Sequence, residues 1–108
     1  MLLLAGLLIA HTGFAGELVK NARMSEISNI AADKDQFEVV LSKGEGPCAD
    51  KPVFFKLENQ PDQSKQALDR AMQLAVTAFS MDSFVSIHNY ADDDCGDASY
   101  IKIHKSPR

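Results

Sequence analysis

The sequence predicts a small, mainly β domain with one helix and one disulfide. Four segments alternate between apolar and polar residues, one segment has a helical period, and the only two cysteines are Cys48 and Cys95. Alternation is typical of half-buried strands, whereas apolar residues three or four apart are typical of an amphipathic helix. A chain of 108 residues has room for one domain with a single core.

The first 15 residues, MLLLAGLLIAHTGFA, are typical of an export signal. Their apolar run, residues 2–10, is under half the length of a membrane-spanning helix, and small residues follow at Gly13 and Ala15. We expect cleavage before Gly16, a mature domain of residues 16–108 with no integral membrane segment, and a location in the periplasm or outside the cell. No Lys or Arg precedes the run, so a buried N-terminal helix or strand is the first alternative; a retained membrane anchor is less favoured, because the run is too short.

Export makes the cysteine pair informative. Two cysteines in a short chain that reaches an oxidising compartment are expected to form a disulfide, and Cys48–Cys95 is the one pairing available. It would close a loop of roughly 50 residues. Because the closed loop lowers the conformational entropy of the unfolded chain, the bond would stabilise the folded state by about 4 kcal/mol. A metal or redox site is less favoured, because neither cysteine has a nearby His or a CxxC partner.

Three strands are predicted before the helix. Residues 18–30 are half apolar without clean alternation, so we expect a bent or bulged first strand. Gln36–Ser42 alternates strictly and places Phe37, Val39 and Leu41 on one side. Residues 53–57 alternate again, with Phe54 on the outer side.

Residues 62–80 carry the helical period, and either Asn59 or Asp62 could cap the start of the helix. One apolar stripe is expected to face the core. Its members are Leu68, Met72, Ala75, Val76 and Phe79.

Two more strands are predicted after the helix, at residues 84–90 and Tyr100–His104, joined by the acidic loop ADDDCGDA. Apolar residues alternate inward along both strands. The inward set is Val85, Ile87, Ile101 and Ile103, and the outward set is Phe84, Ser86, His88, Tyr90, Tyr100, Lys102 and His104.

The resulting order, β-β-β-α-β-β, is that of the OB-fold, a five-stranded Greek-key barrel whose helix plugs one end. Two segments, VSIHNYADDDCGDASYIKIH and LDRAMQLAVTAF, resemble the last hairpin and the helix of the B subunits of Shiga-type bacterial toxins. The resemblance implies an OB-like barrel and a ring-shaped homo-oligomer whose pore would be lined by polar helix residues such as Arg70. Cys48 is placed differently from the first cysteine of those subunits, and the Trp of their glycan pocket has no counterpart, so the resemblance bears on fold more than on activity.

Composition and motifs narrow the function classes. The 11 basic residues are outnumbered by 15 acidic ones, and the net charge of -4 argues against binding nucleic acid. The chain has no GxSxG elbow and no Gly-rich phosphate loop, so we expect a non-catalytic protein without a cofactor.

Metal binding is weakly indicated at two places. His88 and His104 could face outward on adjacent strands, but two imidazoles without a third ligand make a poor site. The acidic loop contains Asp92, Asp93, Asp94 and Asp97 without the spacing of an EF-hand. A solvated turn is the favoured interpretation, and cation binding by residues 92–97 is left open.

Two function hypotheses follow. The first is an exported binding module that recognises a glycan or a protein surface through outward aromatic residues. It could act as a homo-oligomer. The second is a small periplasmic structural or inhibitory monomer with no small-molecule ligand, in which the same aromatics pack at edges or in self-association. The candidate binding residues are Phe54, Phe84, His88, Tyr90, Tyr100 and Lys102.

Overall fold

The computed structural model describes residues 16–29 and 35–108, so the predicted export signal lies outside the described residues. The elements follow the predicted order, with a 17-residue helix between the third and fourth strands. Short 3-10 turns at Leu57–Asn59 and Pro61–Gln63 precede that helix. The strands and helix are β1 Glu17–Ser28, β2 Gln36–Ser42, β3 Pro52–Lys56, α1 Lys65–Met81, β4 Phe84–His88 and β5 Tyr100–His104.

The five strands form one antiparallel sheet in the order β3-β2-β1-β4-β5. The 12-residue β1 pairs with β4 through its first half and with β2 through its second half. Its register shifts between Met24 and Glu26 and at two places between Glu17 and Ala22, which confirms the predicted bent strand. The bulges bend β1 enough to serve two different partners.

The sheet does not close into a complete barrel. One isolated parallel bridge, Phe55 with Ala98, links β3 to the segment before β5. There, the N–H of Phe54 donates to the carbonyl of Cys95 at 2.9 Å, and the N–H of Ala98 donates to the carbonyl of Phe54 at 3.0 Å. The OB-like strand order is therefore confirmed, while the closure expected of a barrel is limited to this bridge among the described residues.

The predicted disulfide is confirmed and lies beside that bridge. Cys48 and Cys95 are bonded, with their Cα atoms 5.8 Å apart, and Cys48 is completely buried. The bond ties the loop before β3 to the loop after β4, where the backbone hydrogen bonds between β3 and residues 95–98 begin. It therefore fastens the part of the sheet that a continuous ladder would close in a full barrel.

The helix begins later than predicted, and neither Asn59 nor Asp62 caps it. Ser64 is the N-cap, and its Oγ accepts a hydrogen bond from the N–H of Ala67 at 3.1 Å. Asp62 lies in the preceding 3-10 turn with φ 55°, a left-handed conformation that cannot belong to the helix. At the other end, Asp82 takes the left-handed capping position that glycine usually occupies.

The predicted buried stripe of α1 is partly wrong. Val76 and Phe79 are 44% and 45% exposed, while Ala71 and Ala78 face the core together with Ala75 and Leu68. Small side chains let the helix axis approach the sheet closely, so the centre of the buried face is lined with alanines. The larger apolar residues lie at its flank, where Met72 is half-buried.

The inward-facing strand residues form the core as predicted. Phe37 and Phe55 stack across β2 and β3, with ring centroids 4.8 Å apart and planes within 4°. Ile103 is half-buried, because it lies near the end of β5. The other inward residues are buried: Val39, Leu41, Val53, Val85, Ile87 and Ile101.

Candidate functional site

The outward side chains of β1, β4 and β5, together with Tyr90, form one continuous surface, which we call the outer face. The predicted fourth strand, residues 84–90, is too long: β4 ends at His88, and Tyr90 lies just beyond it. The register of β4 and β5 places Phe84 opposite His104 and His88 opposite Tyr100. Glu17 of β1 is paired with His88 on the other side. The residues of the outer face are Glu17, Lys20, Arg23, Phe84, Ser86, His88, Tyr90, Tyr100, Lys102 and His104.

One end of the outer face is an aromatic cluster of His88, Tyr90 and Tyr100. The rings of His88 and Tyr100 are stacked with centroids 4.7 Å apart, and the ring of Tyr90 lies 5.7 Å from that of Tyr100 at a 40° tilt. Tyr90 is 67% exposed, the most exposed large apolar side chain among the described residues. Aromatic rings held in fixed positions at a surface offer large contact area and a polar hydroxyl edge.

The opposite end of the outer face is covered. Phe84 stacks with His104 at 6.1 Å, and the guanidinium of Arg23 lies 4.3 Å from the centroid of the Phe84 ring. Arg23 also pairs with Asp82, the residue that caps the C-terminus of α1, at 2.7 Å. Phe84 is thus on the predicted face, but a cation–π contact shields one side of its ring.

Between these ends lies a cavity of about 190 Å³ lined by Glu17, Lys20, Ser86, His88, Lys102 and Arg108. Among the side chains of the cavity, Lys20, Lys102 and Arg108 supply three cations and Glu17 supplies one carboxylate, so the lining side chains are mainly basic in a chain whose net charge is -4. Ligand sites combine apolar and aromatic surface with a small number of placed polar groups; here the aromatic cluster supplies the first and the cavity supplies the second.

His88 forms the boundary between the cluster and the cavity. Its Nε2 lies 3.6 Å from a carboxylate oxygen of Glu17, whereas its Nδ1 is buried without a hydrogen-bond partner. Burial lowers the pKa of His88 below its ordinary value of 6.5, and Lys102 lowers it further, while Glu17 opposes both. At neutral pH the imidazole is therefore uncharged, and it acts as a stacking surface for Tyr100.

Ser86 and His104 form a polar pair that the sequence pattern did not reveal. The Oγ of Ser86 lies 3.2 Å from Nε2 of His104, whose Nδ1 lies 2.8 Å from the carbonyl of Ser106. A carbonyl can only accept, so Nδ1 of His104 carries a hydrogen and donates to Ser106. Ser86 is only 5% exposed, and its oxygen also accepts from the N–H of Asn21 at 3.3 Å. The pair thereby joins β4 and β5 to β1.

Asn21 holds the C-terminal segment against the outer face, a role that the apolar pattern did not predict. Its side-chain amide donates to the carbonyl of Arg108 at 3.0 Å and accepts from the N–H of Arg108 at 2.8 Å. Asn21 has φ 56°, within a bulge of β1. Asn is the residue after glycine that best tolerates this conformation, which is the one signal the sequence offered.

The structure brings five of the six candidate binding residues to the outer face and leaves Phe54 apart. Phe54 is half-buried on β3, and its backbone forms the bridge to Cys95 and Ala98. The metal pair suggested by the sequence is also separated, because His88 and His104 lie at opposite ends of β4 and β5. Among the described residues, no three His, Cys, Asp or Glu side chains are placed to hold a metal ion.

The acidic loop is organised by its own hydrogen bonds. Asn89, which is buried, accepts from the N–H groups of Ala91 and Asp92 and donates to Oδ1 of Asp92 at 2.8 Å. Oδ1 of Asp94 accepts from the N–H of Gly96 at 2.8 Å. Burial, followed by the neighbouring Asp94, raises the pKa of Asp97, with Lys56 at 3.8 Å opposing the shift.

The fold and the outer face define a small disulfide-bonded domain whose open, OB-like sheet carries an aromatic and basic surface. In the part of the chain that the structure describes, no helix has the length and apolar character needed to cross a membrane. The chain belongs to a family of unknown function, DUF5992, whose model matches residues 1–105. No curated protein and no solved structure matches the chain.

Proposed function

We propose that this protein is an exported, non-catalytic binding module that recognises a glycan through its outer face. The observation that carries the proposal is the aromatic cluster, in which Tyr90 is 67% exposed beside a basic cavity of about 190 Å³. A protein surface is the second ligand class that such a face could bind.

The chemistry of the two neighbouring areas matches a sugar. A sugar ring has an apolar C–H face, which packs against an aromatic ring, and a rim of hydroxyls, which needs hydrogen-bonding partners. Tyr90 and Tyr100 supply the first, since their rings lie 5.7 Å apart at a tilt of 40°. Lys20, Lys102 and Glu17 of the adjacent cavity supply donors and acceptors for the second.

Export is supported by the N-terminal sequence and by the disulfide, because disulfides persist in oxidising compartments. The resemblance to toxin B subunits also favours an exported binding role. Self-association into a homo-oligomer is supported by Val76 and Phe79, two apolar residues of α1 that are about half exposed.

The structural or inhibitory monomer is favoured by a different observation. Much of the outer face is occupied by internal contacts, among them Arg23 with Phe84 and Asn21 with Arg108. A surface whose polar groups already satisfy one another has fewer groups free for a ligand. This hypothesis predicts a monomer that binds no glycan.

The test is a glycan array probed with mature, disulfide-intact protein, followed by titration of any glycan that binds. Tyr90→Ala should weaken binding at least about tenfold, equivalent to roughly 1.4 kcal/mol, without lowering thermal stability appreciably. Met81→Ala is the control, since it removes an exposed apolar side chain from the end of α1, away from the outer face and from Val76 and Phe79, and should leave glycan affinity unchanged.

Absence of binding to every glycan, or equal affinity of the wild type and Tyr90→Ala, would contradict glycan recognition by this face. Light scattering on the same samples measures the oligomeric state. A strict monomer without glycan binding would favour the structural or inhibitory role.

A further inference from the structure

The start of β1 lies against the acidic loop. The N–H of Gly16 donates to Oδ1 of Asp93 at 3.3 Å, and the carbonyl of Gly16 accepts from the N–H of Asn89 at 2.6 Å. The second hydrogen bond extends the pairing of β1 with β4 by one residue beyond Glu17. The backbone nitrogen of Gly16 is thereby fixed next to a carboxylate.

Asp93 differs from the other carboxylates of the loop in its partner. Its hydrogen bond is to the backbone of Gly16, 77 residues away in sequence. The remaining three are engaged within the loop or with β3: Asp92 with Asn89, Asp94 with Gly96, and Asp97 with Lys56. Asp93 is thus the carboxylate of this loop that faces the beginning of β1.

The position of Gly16 accepts no side chain. Its φ is +94°, and a Cβ built on it would lie 2.6 Å from the carbonyl oxygen of Asn89. Only glycine combines this backbone conformation with so close an approach of two chains. Gly16 also follows the small residues Gly13 and Ala15, whose spacing predicts a cleavage site for a signal peptidase.

We propose that hydrolysis of the Ala15–Gly16 bond creates an ammonium group that forms an ion pair with Asp93, so that the acidic loop receives the new N-terminus of the mature protein. Water adds across the amide, Ala15 leaves with the carboxylate, and the amine of Gly16 takes up a proton. The neutral N–H that now donates to Asp93 becomes a cationic donor, and charge-assisted hydrogen bonds are the stronger kind. The ammonium also offsets repulsion among four carboxylates within six positions.

This inference rests on the predicted cleavage site and is independent of glycan binding. It makes processing a step that stabilises the fold, because the start of β1 is fastened to the loop that contains Cys95. The mature protein should therefore be more stable than a form in which the nitrogen of Gly16 is still an amide.

The first measurement is the intact mass of protein exported from the full-length chain, which should correspond to residues 16–108. Thermal unfolding is then compared for four forms, namely the wild type and Asp93→Asn, each with a free or an α-acetylated Gly16. Asp93→Asn should lower the Tm of the free-amine form by about 4–8 °C, and that of the acetylated form by less than half as much. Acetylation of the wild type should by itself lower the Tm by a similar amount.

Asp92→Asn is the matched control, because Asp92 is bound to Asn89 and Asp94 and should contribute equally in both N-terminal forms. A mature mass that begins at another residue would overturn the proposal. So would an equal loss of Tm on Asp93→Asn in the free and acetylated forms. If Asp93→Asn does not fold, an unchanged Tm on acetylation of the wild type overturns it.

Discussion

The imidazole of His88 lies face to face with the phenol ring of Tyr100, with 4.7 Å between the ring centroids and 4° between the ring planes. The two residues are directly opposite in the register of β4 and β5, so the backbone itself brings the rings together. Cross-strand aromatic pairs stabilise sheets. Here the pair also supports Tyr90, the exposed ring on which the proposed binding function depends.

The uncharged state of His88 predicts a pH dependence of stability. Its pKa is lowered in the folded protein, so the unfolded chain binds a proton more readily. The stability present above the ordinary value of 6.5 should be lost as the pH falls from there through the lowered pKa. Urea unfolding between about pH 8 and pH 5 measures this loss, and His88→Gln should abolish it.

Glu17→Gln should have the opposite effect. The Glu17 carboxylate raises the pKa of His88 against the effect of burial, so its removal should lower that pKa further and make the loss of stability at low pH larger. The same pH dependence in wild type and His88→Gln would show that His88 is not the group responsible.

Removal of the disulfide should lower the free energy of unfolding by about 4 kcal/mol, because the bond closes a long loop in the denatured chain. Cys48 and Cys95 are separated by 47 positions. The measurement is urea unfolding of the double variant Cys48→Ala with Cys95→Ala beside the oxidised wild type. A loss of less than about 1 kcal/mol would mean that the denatured chain is already constrained in this region.

Asn21 and Lys43 share a left-handed backbone conformation, with φ 56° and 58°, but only Asn21 binds the C-terminal segment. Asn21→Ala should destabilise the protein by about 1 kcal/mol more than Asn21→Gly, because alanine adds backbone strain to the lost hydrogen bonds. Lys43→Gly, by contrast, should be stabilising, since it relieves strain at a position whose side chain does not hold the C-terminal segment.

Thermal unfolding of the three variants checks this order. Equal stability of Asn21→Ala and Asn21→Gly would contradict the strain argument. A destabilised Lys43→Gly would indicate that the lysine side chain contributes to the fold.

Because α1 packs closely against the sheet, substitutions at two neighbouring helix positions should change the stability of the protein by very different amounts. Ala75 is fully buried, so Ala75→Leu should overpack the core and cost roughly 1–3 kcal/mol. Val76 is 44% exposed, and Val76→Ala should cost less than about 1 kcal/mol. Urea unfolding of both variants distinguishes this packing from the predicted stripe, in which Val76 would be buried beside Ala75 and Val76→Ala would also be costly.

The sequence determined the parts of this protein that depend on local pattern. Strict alternation placed Gln36–Ser42 and Tyr100–His104 at their observed bounds, because each strand has one buried face. The even cysteine count determined the pairing of Cys48 with Cys95. The same alternation identified the outward residues of β4 and β5, and with them most of the outer face.

The tertiary structure decided what depends on pairing across the chain. The register of β4 and β5 places His88 opposite Tyr100, whereas Ser86 reaches His104 only through a side-chain contact outside that register. Apolar periodicity could not show that Ala78 is buried and Phe79 exposed. The short distance between the helix and the sheet leaves room only for a small side chain on the buried face, whatever its hydrophobicity. The contact between Gly16 and Asp93 likewise joins residues 77 positions apart, which no local pattern relates.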